Sequence, residues 1–88
     1  IFMDINDLIA IVKKKLEDEI LIQSIKIEDK SFLHASHKGN DKKKFHLKIS
    51  INSRELSELS RVQSNKKIYK ILNTELKNNI HSIQILIT

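Results

Sequence analysis

The spacing of apolar residues changes period several times along the chain. Between residues 4 and 18, Ile5, Leu8, Ile9, Val12 and Leu16 fall at i, i+3, i+4, i+7 and i+11, a single stripe down one face of a helix. Asp4 is placed to cap its start. Lys13, Lys14 and Lys15 fill the last turns, where cations suit the helix dipole. Residues 20–28, ILIQSIKIE, shift to period two, with Ile25 and Ile27 against Ser24 and Lys26, and predict a strand. FHLKISIN, at 45–52, alternates again: Leu47, Ile49 and Ile51 go one way, His46, Lys48 and Ser50 the other. This is a second strand, expected to pair antiparallel with the first.

Ser53 can cap a short helical segment, RELSELS. Residues 61–77, RVQSNKKIYKILNTELK, predict a longer helix with Val62, Ile68 or Tyr69, Leu72 and Leu76 inward and Lys66, Lys67, Lys70 and Lys77 outward. Asn78 and Asn79 should stop it, because Asn tolerates the left-handed turn. In the closing stretch, NNIHSIQILIT, Ile83, Ile85 and Ile87 alternate with Ser82, Gln84 and Leu86, a third strand. Counting back by twos puts His81 on the isoleucine side, an odd place for an imidazole.

The order α-β-β-α-α-β, with no Pro, a single Gly and no repeat, predicts one α+β domain over residues 1–88. Its expected form is a three-stranded sheet with helices packed on one face. Between the first two strands lies DKSFLHASHKGNDKKK, polar and without a helical stripe. Such long connections in small domains are usually functional or disordered.

Composition narrows the function. A hydrophobic content of 40%, with 16 Ile, is enough for a core despite 5% aromatics. The absence of Cys removes disulfides, thiolate nucleophiles and thiolate metal ligands. No apolar run approaches the roughly 18–20 residues of a membrane span. The opening stretch, IFMDINDLIA, has an acidic rather than a basic flank, so a secretory signal is not expected and a cytoplasmic setting is the default. A net charge of +5 invites a nucleic-acid reading. That charge, however, comes from 14 Lys and only 2 Arg, and Arg is the residue that grips phosphate and guanine bidentately. One Gly cannot build a phosphate-binding loop. A triad drawn from Ser31, His34 and Asp29 has no strained turn or oxyanion hole to serve it. The acidic residues fall mainly on helix surfaces, so no enzyme is expected.

The four histidines are the chemistry that stands out. His34 and His37 lie in the long connection, His46 at the start of strand two, and His81 at the start of strand three. Imidazoles in a polar loop and at strand ends can build a metal site. Plainer readings stand beside this one: His81 as a hydrogen-bonded residue at the core's edge, and HASH as part of a solvated loop. The lysines of the long helix read most simply as its solvated face.

These residues also form a familiar series. Ser31-x-x-His34-x-x-His37, His46 followed by an apolar position, Ser53 closing the second strand, RVQ before a helix holding Tyr69, TEL at 74–76, and IHSI where IHAL is typical together resemble the BolA family over nearly the whole chain. The resemblance implies a fold like the type II KH domain. It further implies partnership with a monothiol glutaredoxin, the two proteins sharing a [2Fe–2S] cluster with glutathione. On that pattern His81 and a histidine of the loop, His34 or its near alternative His37, supply this chain's ligands; His46 is not a first choice. An imidazole-held iron is less negatively charged than a thiolate-held one, and its bond is lost on protonation, which suits transfer or sensing. Lacking Cys, the isolated chain is expected to hold no cluster and to be a monomer or weak dimer.

One departure concerns the RHR often found in the family's long helix, which reads Ser64, Asn65 and Lys66 here. Some family members are described as DNA-binding regulators of a stress response through this region. That alternative would rest on Lys66, Lys67 and Lys70. A third reading is a zinc-binding or purely structural domain using His34, His37 and His81.

Overall fold

The computed structural model describes residues 4–31 and 45–88. Helix α1, Ile5–Glu19, is capped by Asp4, whose carboxylate accepts from the Asn6 amide. Its stripe buries Leu8, Val12 and Leu16 completely. The chain then bends at Ile20, whose N–H still bonds to the Leu16 carbonyl and whose side chain is buried. Strand β1 is Ser24–Asp29, later than the 20–28 expected, because the first of those isoleucines closes the helix instead.

Strand β2, Phe45–Asn52, matches its expected bounds and pairs antiparallel with β1, Ile27 opposite Ile49. Ser53 then caps the single turn α2, Arg54–Ser57. Its fully buried hydroxyl accepts from the Leu56 amide and donates to the Leu21 carbonyl. Helix α3, Arg61–Ile71, opens with a complete capping box between Ser60 and Gln63.

The expected single helix over 61–77 is broken. Leu72, with ψ of 17°, ends α3 and leads into α4, Asn73–Asn78. The inward stripe is Ser64, Ile68, Leu72 and Glu75, at i, i+4, i+8 and i+11. Val62 lies off that stripe and is 62% exposed; Ile68 rather than Tyr69 takes the core place. The small Ser64 can be buried because its hydroxyl donates to the Arg61 carbonyl. The chain does leave the helix at Asn78, but Asn79 has φ of −129°, so no left-handed residue makes the stop.

Strand β3, Ile80–Ile87, returns parallel to β2, giving the sheet order β1-β2-β3. Parallel neighbours need a crossover, and α2 to α4 provide it. Leu47, Ile49 and Ile51 of the central strand, with Ile80, meet the apolar residues of α1 to α4 in one core. The other face carries Lys26, Lys48 and Gln84. The α+β layering is as the sequence predicts.

Candidate functional site

The start of the parallel strand pair contains an irregularity that decides where His81 goes. Phe45 is paired with Ile80, and the next residue of β2, His46, with Ser82. His81 is the extra residue of a β-bulge, the feature that re-aims a side chain in an otherwise regular ladder. Ile80 and Ile83 are three positions apart, yet both pack on the core. His81 is exposed, not on the inward parity that counting back from Ile87 predicts. The bulge changes the parity between Ile80 and Ile83.

His46 faces away from Leu47 and Ile49 and is nonetheless only 4% exposed. Its amide donates to the Ser31 hydroxyl at 3.1 Å, and its carbonyl accepts from the Lys30 amide at 2.7 Å. Its Nδ1 lies 2.6 Å from Ser82 Oγ. The ring of His81 stands edge-on to it, with centroids 4.7 Å apart and planes at 64°. Edge-to-face rings are worth about 0.5–1.5 kcal/mol beyond the area they bury, enough to bias an exposed side chain toward one rotamer.

The local chemistry suits His81 to a ligand role. It presents an exposed imidazole backed by a buried one, and the chain holds no sulfur donor other than a single Met. The residues of this sequence offer no thiolate to stand beside that imidazole. His34 and His37 lie outside the described residues. Among the described residues, no three His, Cys, Asp or Glu side chains converge as a metal site. Sequence reasoning placed His46 near the loop but missed Ser82 and the His46–His81 contact. The signal was present: two strand isoleucines separated by three positions mark a bulge.

The lysines named on the long helix separate into two kinds. Lys66 and Lys70 are exposed, whereas Lys67 is half-buried and its Nζ bonds to Glu55 Oε2 at 2.9 Å. That bond, with the Leu21 amide on the other oxygen, holds the Glu55 carboxyl below its ordinary range. Lys30 lowers Glu28 in the same way. Lys15, Lys66, Lys67 and Lys70 line an open groove of about 850 Å³ between α1 and α3, which also admits Asp18 and Glu19. Its charge is mixed rather than uniformly basic.

Comparison with known proteins follows the same lines. The model of the BolA-like protein family matches residues 16–88. The chain belongs to the BolA family. The DNA-binding transcriptional regulator BolA of Haemophilus influenzae is 32% identical over 75 residues, covering 85% of this chain and 70% of that protein. SufE-like protein 1, chloroplastic/mitochondrial, of Arabidopsis thaliana is 30% identical over 79 residues, which are 84% of this chain but 21% of that one. Among solved structures, the BolA domain of SufE1 from Arabidopsis thaliana superposes with a TM-score of 0.74 at 30% identity, over 90% of this chain and 87% of that one. BolA1 from Arabidopsis thaliana gives 0.75 at 26% identity with the same coverage. These BolA folds share the α+β layering described above. No helix among the described residues of this BolA-family chain is long and apolar enough to cross a membrane.

Proposed function

We propose that this BolA-family chain is a non-enzymatic adaptor that binds a monothiol glutaredoxin and shares a [2Fe–2S] cluster with it, in cluster trafficking or iron and redox regulation. His81 is this chain's first ligand and His34 or His37 its second; the glutaredoxin and glutathione bring the sulfur. The observation carrying the reading is the bulge that turns His81 outward against a buried imidazole. The lack of Cys makes the partner obligatory. Outside the complex the chain is a monomer or weak dimer without cofactor, and the setting we assign is the cytoplasm.

The test is co-purification with a monothiol glutaredoxin and glutathione. A visible cluster spectrum distinct from that of the glutaredoxin alone is expected for the pair and is lost in His81→Ala. An identical spectrum in that variant overturns the ligand assignment; no spectrum for the unaltered pair overturns the function.

A second reading, a DNA-binding regulator of a stress response, draws on the similarity to the DNA-binding transcriptional regulator BolA of Haemophilus influenzae and on the exposed Lys66 and Lys70. The ion pair of Lys67 with Glu55 and the acidic residues in the groove weigh against it.

A further inference from the structure

We infer that Ser82 and His46 are positioning residues that set the direction of the His81 imidazole, an inference that rests on the cluster-sharing reading. A bulge residue is skipped by the ladder, so the pairing of its neighbours does not by itself fix where its side chain points. An exposed histidine there would sample several rotamers and lose that freedom on binding a metal. Three contacts oppose this. Ser82 is joined to His81 through the chain and is itself paired with His46 in the register. The Ser82 hydroxyl meets His46 Nδ1 at 2.6 Å, closing the bulge from the side-chain side. The His46 ring is buried, on a main chain whose amide bonds to the Ser31 hydroxyl and whose carbonyl accepts from the Lys30 amide, and it meets His81 with ring centroids 4.7 Å apart. The result is a closed triangle, Ser82 to His46 to His81 and back along the backbone.

Such a triangle has a chemical purpose. A hydroxyl can either donate to an unprotonated Nδ1 or accept from a protonated one, so Ser82 orients the His46 ring in either tautomer. The oriented ring then limits His81 to the edge-on arrangement. A ligand held in place before binding loses less freedom when it binds, which is why outer contacts of metal-binding histidines matter to affinity. Ser82 is exposed at the sheet edge and adds no side chain to the apolar core; what its hydroxyl serves is the buried Nδ1 of His46.

The deciding experiment has two arms. In the first, the isolated chain is labelled at histidine and studied by NMR. The unaltered protein should show a His46–His81 ring contact and one dominant His81 χ1 rotamer. Ser82→Ala should average the rotamer while leaving the amide spectrum of α1 unchanged, with at most a modest fall in melting temperature from the lost His46 bond, and Ser82→Thr, which restores a hydroxyl, should recover the rotamer. In the second, the cluster complex with glutaredoxin is challenged with a chelator. Ser82→Ala should lose the cluster on the order of tenfold faster, and Ser82→Thr should lose it at the original rate. An unchanged His81 rotamer in Ser82→Ala overturns the inference, as does an equal effect of Ala and Thr. If the unaltered pair forms no cluster, the function proposed above fails, while the first arm still decides whether these residues orient His81.

Discussion

Lys15 Nζ lies 2.7 and 2.9 Å from the two carboxylate oxygens of Glu75, bridging α1 to α4. The side chain of Glu75 is only 7% exposed, whereas that of Lys15 is 39% exposed, so the carboxylate depends on the ammonium far more than the reverse. Removing the cation alone strands a buried charge. Lys15→Met is expected to destabilise the fold by about 1–3 kcal/mol, less than a wholly buried pair would because the lysine is partly solvated. Lys15→Met with Glu75→Leu should return to within about 1 kcal/mol of the unaltered chain. Urea denaturation of the two single variants and the double variant measures this coupling. Additive losses would show that the bridge holds no energy of its own.

Glu55 joins α2 to α3 through Lys67 and accepts from the Leu21 amide. Its folded pKa is lowered from the ordinary 4.5, chiefly by the Lys67 bond. The sign follows: the bridge stabilises the fold above the unfolded value and ceases to do so as pH falls through the lower folded value. Glu55→Gln keeps an oxygen for Leu21 and removes only the charge. The gap in thermal midpoint between the unaltered chain and Glu55→Gln should be present at pH 7 and close below about pH 4.5. Because both side chains are more than a third exposed, the gap should also shrink in high salt.

Much of this architecture was legible because each periodic segment buries one face. Leu8, Val12 and Leu16 share a helical stripe, and Leu47, Ile49 and Ile51 a strand face; all six are core residues. What escaped was governed by departures from period. Val62 was counted inward because it is apolar, although the polar Ser64 holds the correct angle and satisfies its own hydroxyl. The burial of Glu75 departs from the general expectation that the acidic residues lie mainly on helix surfaces, because no sequence rule foretells that Lys15 will meet it. At the site, the histidine positions could be named from spacing and resemblance. The exposure of His81 could not, since parity carried backward through a bulge comes out inverted.

The bulge itself can be tested by subtraction. Deleting His81 leaves Ile80, Ser82 and Ile83 in simple alternation, with both isoleucines still directed at the core. The deletion is therefore expected to fold, with stability changed by under about 1 kcal/mol, the range of surface changes that leave core contacts intact. Hydrogen exchange should show continuous protection of the β2–β3 ladder. If the chain instead unfolds, the backbone at residue 81 is needed by the fold and the bulge is not simply an insertion that exposes an imidazole.

The two functional readings make opposite demands on α3. Phosphate contacts release counterions, so a DNA-binding role through Lys66 and Lys70 requires affinity to fall linearly with salt on logarithmic axes. Each of Lys66→Ala and Lys70→Ala would then lower that slope by about 1. Lys67→Ala should do less, because Glu55 already neutralises it. The adaptor reading requires none of this and instead concentrates its losses at His81. With Asp18 and Glu19 in the same groove and only two Arg in the chain, the expected result is no sequence-selective binding in a gel-shift titration near physiological salt. A salt slope that falls at Lys66 and Lys70, together with a cluster spectrum indifferent to His81→Ala, would reverse the order of the two readings.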